Sequence, residues 1–173
     1  MAELVLQDQV DALRSLAERF PLDLDRVAIR GWSFGGYLSA LAVLRRPTSP
    51  RGGGRRPRHR PAPLRHPLPG ALPGDPNEQP EVYRRNSLID DAGLVDPAEP
   101  HRPMMIIHGL ADDNVVVAHS LRLSSALLAA GRPHEVLPLS GVTHMTPQET
   151  VAENLLRLQL DFLRRSLAEP RPR

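Results

Sequence analysis

The residue in this chain best placed to act as a nucleophile is Ser33, which lies inside the pattern Gly-Trp-Ser-Phe-Gly at 31–35. A G-x-S-x-G pattern is typical of a sharp turn between a strand and a helix, where glycines let the two elements approach closely. Such a turn exposes the serine hydroxyl and directs the Phe34 N–H toward the oxyanion that develops in acyl transfer. The pattern therefore predicts acyl-transfer chemistry, although on its own it fits an ordinary turn serine equally well.

A serine hydroxyl becomes a strong nucleophile only when a base removes its proton and an acid orients that base. One large class of α/β enzymes carries these groups in the chain order serine, then aspartate or glutamate, then histidine. Asp112 and Asp113 follow the apolar run PMMIIH at 103–108, and His144 follows the run HEVLPL at 134–139. Both runs fit strands of a parallel sheet, whose functional side chains gather at the carboxyl ends. The sequence predicts a triad of the serine, His144 and one of the two aspartates.

Other histidines compete with His144 for the role of base. His108 ends a predicted strand and is expected to make structural hydrogen bonds, while His119 and His134 lie within or at the edge of regular elements. His101 is a further competitor. Only His144 has the loop position that the chemistry requires.

The hydrophobic periodicity predicts strands and helices in alternation. Helices are predicted at 6–20, 37–44, 117–130 and 147–167, and strands at 26–30, 103–108 and 134–139. Gly131 is expected to end the third helix in a left-handed conformation, and Thr146 and Glu149 are expected to form a capping box around Pro147. Alternating elements predict an α/β layer, with a parallel sheet and helices on both faces.

The positive charge of the chain is concentrated in one segment. All 22 basic residues are arginine, and eight of them lie between positions 45 and 65, where no acid occurs. The remaining 14 arginines stand against 20 acidic residues, which gives the rest of the chain a net charge of −6.

The chain has no cysteine, its opening residues MAELVLQDQV lack the features of a signal peptide, and no apolar run is long enough to span a bilayer. We therefore expect a cytoplasmic protein without a metal, an organic cofactor or a membrane contact.

Three motifs carry a resemblance to a known family: GWSFGGY at 31–37, IIHGLADDNV at 106–115 and GVTHMTPQE at 141–149. Across most of 1–46 and 75–167 the chain resembles the prolyl oligopeptidase family, especially its dipeptidyl peptidase IV-like branch. The resemblance implies an α/β-hydrolase fold and a serine-type peptidase that acts on peptides through an acyl-enzyme. It also implies that Asp112, rather than Asp113, is the acid of the triad.

The resemblance implies further roles around the nucleophile. Asn114 matches a position that contacts the substrate carbonyl in this branch, and Trp32 and Val115 match residues close to the acyl pocket. Purely structural roles stay open for both, because asparagine is common in turns and a tryptophan more often serves packing.

The chain also departs from the family. We expect 1–167 to be an incomplete C-terminal catalytic domain and 168–173 a tail, without the first strands of the hydrolase sheet and without the β-propeller. One of those strands supplies a second oxyanion donor in the family, and in the dipeptidyl branch the propeller holds the substrate's amino terminus. Because residues 47–74 as written also lack the central strand and the aromatic pocket wall of the family, weak or absent peptidase activity is expected for this polypeptide alone.

Residues 47–74 contain eight prolines and five glycines and no aromatic residue, which predicts a disordered segment or surface loop. The resemblance places a strand and a tyrosine-bearing pocket segment here. Suitable synonymous codons for 51–74, read one nucleotide later, encode AAVAGAPVTDRRLYDTHYPERYLG, which fits that description. We therefore predict a frameshift, with a genuine basic insertion as the competing interpretation. The coding DNA decides between them, because codons that cannot yield this peptide contradict the frameshift.

Alternative functions use the same sequence features. A carboxylesterase or acylaminoacyl hydrolase would employ the same triad and would cleave nitrophenyl esters but not peptides. The arginine run could bind phosphate backbones, but it lacks interleaved aromatic residues and the rest of the chain is acidic. An inactive fragment could associate with another chain through an exposed sheet edge. The oligomeric state and the peptide specificity are left open.

Overall fold

The structure, a computed structural model, describes residues 2–45, 77–78, 80–92, 102–146 and 148–168. In chain order the described elements are α1 (Ala2–Arg19), α2 (Phe34–Arg45), α3 (Pro80–Arg85), α4 (Leu88–Ala92), β1 (Met105–Gly109), α5 (Ala118–Ala129), β2 (Glu135–Leu139) and α6 (Glu149–Leu167). The segment 47–74, for which disorder and a frameshift are predicted, lies outside the described residues.

Strands β1 and β2 form a parallel pair joined by helix α5, which is a βαβ unit. The register runs from Met105 opposite Glu135 to Gly109 opposite Leu139. Parallel strands need a crossover connection, and the amphipathic helix between them provides it. The predicted strands at 103–108 and 134–139 and the predicted parallel pairing are confirmed, with boundaries shifted by one or two residues.

The predicted strand at 26–30 is wrong for the described part of the chain, whose sheet contains only β1 and β2. A strand forms only where a neighbouring backbone completes its hydrogen bonds. Residues 29–31 instead line an open cleft. Val27 and Ile29, which would be buried in a central strand, are 45% and 38% exposed. The β-prone composition is therefore real, but the pairing that would make it a strand is missing.

The helices differ from expectation mainly at their starts. Helix α1 begins at Ala2 instead of residue 6, and α2 begins directly after the nucleophile candidate. Helix α5 ends as predicted, with Gly131 at φ 67° and the Arg132 N–H donating to the Leu127 carbonyl at 2.8 Å. No helix among the described residues has the length and apolar character that crossing a membrane requires.

The predicted capping box of the last helix does not form. Helix α6 begins at Glu149 with Gln148 as its N-cap and no side-chain cap, so Thr146 lies outside the helix. The Thr146 hydroxyl oxygen is buried and has no hydrogen-bond partner among the described residues. A capping preference acts only where the threonine directly precedes the first turn, and here the helix begins three residues after Thr146.

Helix α2 lies at the centre of the described core. One apolar cluster joins it to α4 and α5 through Leu44, Ala92 and Leu127, and a second joins it to α1. The Arg45 guanidinium ties these helices together, because its Nε lies 2.7 Å from the buried Asp91 carboxylate and its Nη1 lies 3.0 Å from Glu3. The helix that follows Ser33 is thus held on several sides.

Candidate active site

Ser33 lies on a tight turn immediately before α2, and its backbone is strained. Its φ is 53°, a left-handed value that a non-glycine residue rarely adopts and that costs about 1–3 kcal/mol. A Cβ atom added at Gly31 would lie 2.1 Å from the carbonyl carbon and oxygen of Gly35, so the segment before the serine touches the helix after it. The glycines of the motif therefore have the packing reason that the sequence predicts, and the serine side chain is exposed.

The Asp112 carboxylate is fixed by its own loop. Its Oδ1 accepts the N–H groups of Asn114 and Val115, both at 2.9 Å, and its Oδ2 lies 2.9 Å from His144 Nδ1. The side chain is 6% exposed, whereas the residue Asp113 is exposed. Of the two aspartates that follow β1, Asp112 is the one that the structure joins to His144.

These contacts lower the pKa of Asp112 below its usual value. The Val115 N–H is the largest cause, and it acts against the desolvation of the carboxylate, which raises the pKa; the His144 side chain and the Asn114 N–H lower it further. The carboxylate is therefore ionised at neutral pH and can accept the proton on His144 Nδ1 as a hydrogen bond. The other ring nitrogen, Nε2, is then the one available to take a proton from a nucleophile.

The lowered pKa of Asp112 determines in which direction the free energy of unfolding changes with pH. A carboxyl whose pKa is lower in the folded chain stabilises the fold above its unfolded pKa of about 4, and the stabilisation is lost as pH falls through the folded value. Between pH 6 and pH 3 the free energy of unfolding of the parent should therefore fall more steeply than that of Asp112→Asn. Urea unfolding followed by circular dichroism measures this, and equal slopes would contradict it.

The loop that carries His144 rests on the end of β1. The Ala111 N–H donates to the Val142 carbonyl at 3.0 Å, and a Cβ atom at Gly109 would lie 2.3 Å from that oxygen and 2.5 Å from the Thr143 carbonyl oxygen. Glycine is thus required at the end of β1 so that the two loops can meet. This contact is what brings His144 to Asp112.

Gly109→Ala is expected to displace this loop. The added methyl overlaps backbone atoms that cannot rotate away, so the free energy of unfolding should fall by about 1–3 kcal/mol and the pairing of His144 with Asp112 should weaken. Gly141→Asn is the control, because position 141 has φ 69° with open space around it and asparagine tolerates that conformation. Chemical denaturation measures both variants, and equal stability of Gly109→Ala and the parent would contradict the close packing.

His108 makes structural hydrogen bonds, as the sequence predicts. Its Nε2 lies 2.7 Å from the Val115 carbonyl, which can only accept, so this nitrogen carries the proton and Nδ1 accepts from the Ser120 hydroxyl at 2.7 Å. The same Nε2 lies 3.5 Å from Asp112 Oδ2. In the amino-acid sequence, only a separation of four residues relates His108 to Asp112.

The remaining predicted residues lie around the serine and the Asp112 loop. Trp32 is 45% exposed, and the edge of its ring meets His144 with 6.2 Å between centroids. Phe34 is the first residue of α2, and its exposed ring stacks on Tyr37. Val115 lines the same cleft as the serine, while Asn114 is exposed and contributes its N–H to Asp112. The substrate contact implied for the Asn114 side chain stays a prediction.

Ser33, Asp112 and His144 all line one cleft of about 600 Å³. A serine on a strained turn and a histidine paired with an aspartate are the parts that serine hydrolases use. Within the described ranges, no group of three histidine, aspartate or glutamate side chains is placed to hold a metal ion.

Comparison with known proteins identifies the family of the chain. The model of the prolyl oligopeptidase family matches residues 1–49 and 71–170. The chain is 34% identical to human dipeptidyl peptidase 8 over 152 residues, which is 79% of this chain and 15% of that protein. It is 25% identical to dipeptidyl peptidase 4 of Sus scrofa over 176 residues, 95% of this chain and 21% of that protein.

The chain belongs to the prolyl oligopeptidase family, and by family it is a serine hydrolase of the peptidase type. It spans 15–21% of the length of the two relatives. The family implies an α/β-hydrolase fold, of which the described residues contain a small parallel sheet with its helices. The match omits residues 50–70, which fall inside the segment that the sequence sets apart.

Proposed function

We propose that this chain carries the catalytic triad of a serine peptidase, with Ser33 as nucleophile, His144 as general base and Asp112 as the orienting acid. The observation that supports this most directly is the 2.9 Å contact between His144 Nδ1 and Asp112 Oδ2 in the cleft that Ser33 also lines. The positive φ of Ser33 adds to it, because such strain persists at a non-glycine residue only where the surroundings hold it.

The reaction follows from the roles of these groups. The Ser33 oxygen attacks the scissile carbonyl while its proton passes to His144 Nε2, and the tetrahedral oxyanion is met by the Phe34 N–H at the start of α2. His144 then gives the proton to the leaving amine, which departs as the C–N bond breaks and leaves an ester on Ser33. Water hydrolyses that ester with His144 again acting as base. Asp112 keeps the imidazole oriented and stabilises its charged form.

The substrate class proposed is a peptide, with release of a dipeptide or cleavage of an oligopeptide. The support is the chain's similarity to proteins named dipeptidyl peptidase 8 and dipeptidyl peptidase 4. A cytoplasmic location is also a proposal, and the contacts to the substrate's amino terminus are not assigned to residues of this chain. Weak or absent peptidase activity of this polypeptide by itself also stays a prediction.

Reaction with a fluorophosphonate probe tests the triad without requiring turnover. The parent chain should be labelled on Ser33, and Ser33→Ala should not be labelled, with Ser39→Ala as the control because Ser39 donates to the Gly35 carbonyl within α2. Labelling that survives in Ser33→Ala would reject the proposal. A parent that cleaves nitrophenyl esters but binds and cleaves no proline-containing peptide would favour the esterase alternative.

A further inference from the structure

His108 is a largely buried histidine that the proposed mechanism does not use. Its side chain is 12% exposed, and it comes one residue before the end of β1, ahead of the loop that carries Asp112. Both ring nitrogens lie close to a partner, Nε2 at 2.7 Å from the Val115 carbonyl oxygen and Nδ1 at 2.7 Å from the Ser120 hydroxyl. The orientation of this ring is therefore fixed from two directions.

Val115 connects His108 to the acid of the triad. The Val115 N–H donates to Asp112 Oδ1 at 2.9 Å, while the carbonyl of the same residue accepts the hydrogen bond from His108. Because that N–H is the largest cause of the lowered pKa of Asp112, the ionisation of the carboxylate depends in part on where Val115 lies. A side chain that holds Val115 thus acts on Asp112 without bonding to it.

The direct approach of His108 to Asp112 is weaker than this indirect connection. Nε2 lies 3.5 Å from Asp112 Oδ2, which is longer than an ordinary N–H···O hydrogen bond, and its proton is donated to the Val115 carbonyl. The same carboxylate oxygen lies closer to His144 Nδ1, at 2.9 Å. The hydrogen bonds of His108 therefore hold the loop and leave the carboxylate to His144.

We propose that His108 is a positioning residue for the triad, which holds the Val115 carbonyl so that the loop at 112–115 keeps Asp112 in place to orient His144. His108 then deepens the proposed function, on which this inference rests, because it acts through Asp112 rather than on the substrate. Ser120 of α5 belongs to the same chain of contacts. Its hydroxyl donates to Nδ1 and thereby keeps the proton on Nε2, where the carbonyl requires it.

Two substitutions at position 108 separate the hydrogen bond to Val115 from the rest of the ring. The amide nitrogen of glutamine reaches about as far as imidazole Nε2, whereas that of asparagine reaches only about as far as Nδ1. His108→Asn should slow fluorophosphonate labelling of Ser33 by about 10²-fold, since a displaced acid misorients the base, and His108→Gln should recover most of that loss. Equal labelling rates for the two variants, or a His108→Asn variant as fast as the parent, would overturn the proposal.

A pair of serines on α5 provides a milder test with a matched control. Ser120 bonds to His108, and Ser124, one turn later, lies 2.7 Å from Nε2 of His134, whose other ring nitrogen faces the Arg132 carbonyl. Ser120→Ala should slow labelling by about fivefold, the equivalent of one neutral hydrogen bond, and Ser124→Ala should keep the rate of the parent. This pair also carries the test if His108→Asn does not fold, and equal rates for the two serine variants would contradict the proposal.

Combined variants test whether His108 works through the acid. In the Asp112→Asn background, His108→Asn should slow labelling far less than it does in the parent, because the effects of residues that act as one unit are not additive. Losses that multiply would place the action of His108 outside the triad and would also overturn the proposal.

Hydrogen exchange separates a failure of this proposal from a failure of the catalytic one. The amides of Asn114 and Val115 donate to the acid of the triad, and NMR in a Ser33→Ala host measures their exchange without any serine chemistry. His108→Asn should speed both by about tenfold and leave the Arg132 amide, at the far end of α5, unchanged. A parent that is not labelled would reject the triad, whereas unchanged exchange of the two loop amides would reject the positioning role whatever the labelling shows.

Discussion

Asp112→Asn should slow the reaction of Ser33 with a fluorophosphonate, in which the serine oxygen bonds to phosphorus and fluoride leaves, by about 10³–10⁴-fold. The amide can still fit between the Asn114 and Val115 N–H groups, but it removes the charge that stabilises the imidazolium and favours the wrong tautomer of His144. The loss should appear in the second-order labelling rate measured by intact-protein mass spectrometry. The free energy of unfolding at neutral pH should fall by less than the increase in activation free energy that the slower labelling represents.

The neighbouring residue supplies a matched control for that prediction. Asp113→Asn makes the same chemical change one position later, at an exposed side chain, and should leave the labelling rate within about twofold of the parent. If Asp113→Asn slowed labelling as strongly as Asp112→Asn, the assignment of the acid would be wrong. If neither variant had an effect, His144 would not depend on a carboxylate at all.

Gly31→Ala should destabilise the chain by about 3 kcal/mol or more and should abolish fluorophosphonate labelling. The new methyl would lie 2.1 Å from the Gly35 carbonyl group, and neither backbone can yield without moving the turn that holds Ser33. The expected result combines a lower midpoint in urea with loss of reactivity. A variant with the parent's stability would show that the turn is looser than this contact implies.

Gly35→Ala is the control, and the test is the difference in stability between the two alanine variants. A Cβ atom at Gly35 meets nothing within 4 Å, and alanine in a helix is favoured over glycine by about 1 kcal/mol. This variant should therefore match or exceed the stability of the parent. The two glycines touch each other, yet only one of them has room for a side chain.

Much of the fold could be predicted because the signals are local. The strands that became β1 and β2 are short apolar runs, and α5 has an amphipathic repeat with Gly131 placed at its end. The segment 26–30 has equally suitable residues, but a strand also depends on a neighbour that its own sequence does not contain. The capping box of α6 does not form because the helix begins at Glu149, three residues after Thr146, and a local capping preference does not decide where a helix starts in the folded chain.

In the candidate site, too, some features follow from local sequence and others depend on contacts between distant segments. Residue types, chain order and positions after strands were enough to select Ser33 and His144 and to narrow the acid to two aspartates. The packing of Gly109 against the Val142 and Thr143 carbonyls, and the approach of His108 to Asp112, depend on how two loops meet in space. A single sequence contains no local pattern for such a meeting.

The attachment of the three candidate catalytic groups has a mechanical consequence. Asp112 and His144 lie on the βαβ unit, where a hydrogen bond joins them and the close packing at Gly109 holds their two loops together. Ser33 lies at the start of α2, in the helical layer. The open cleft lies between the two sets of groups, while the buried cluster of Leu44, Ala92 and Leu127 joins α2 to α5 of the βαβ unit elsewhere. Among the described residues a hydrogen bond joins His144 to Asp112 and none joins Ser33 to either, so small movements should change the distance from hydroxyl to imidazole more readily than that from imidazole to carboxylate.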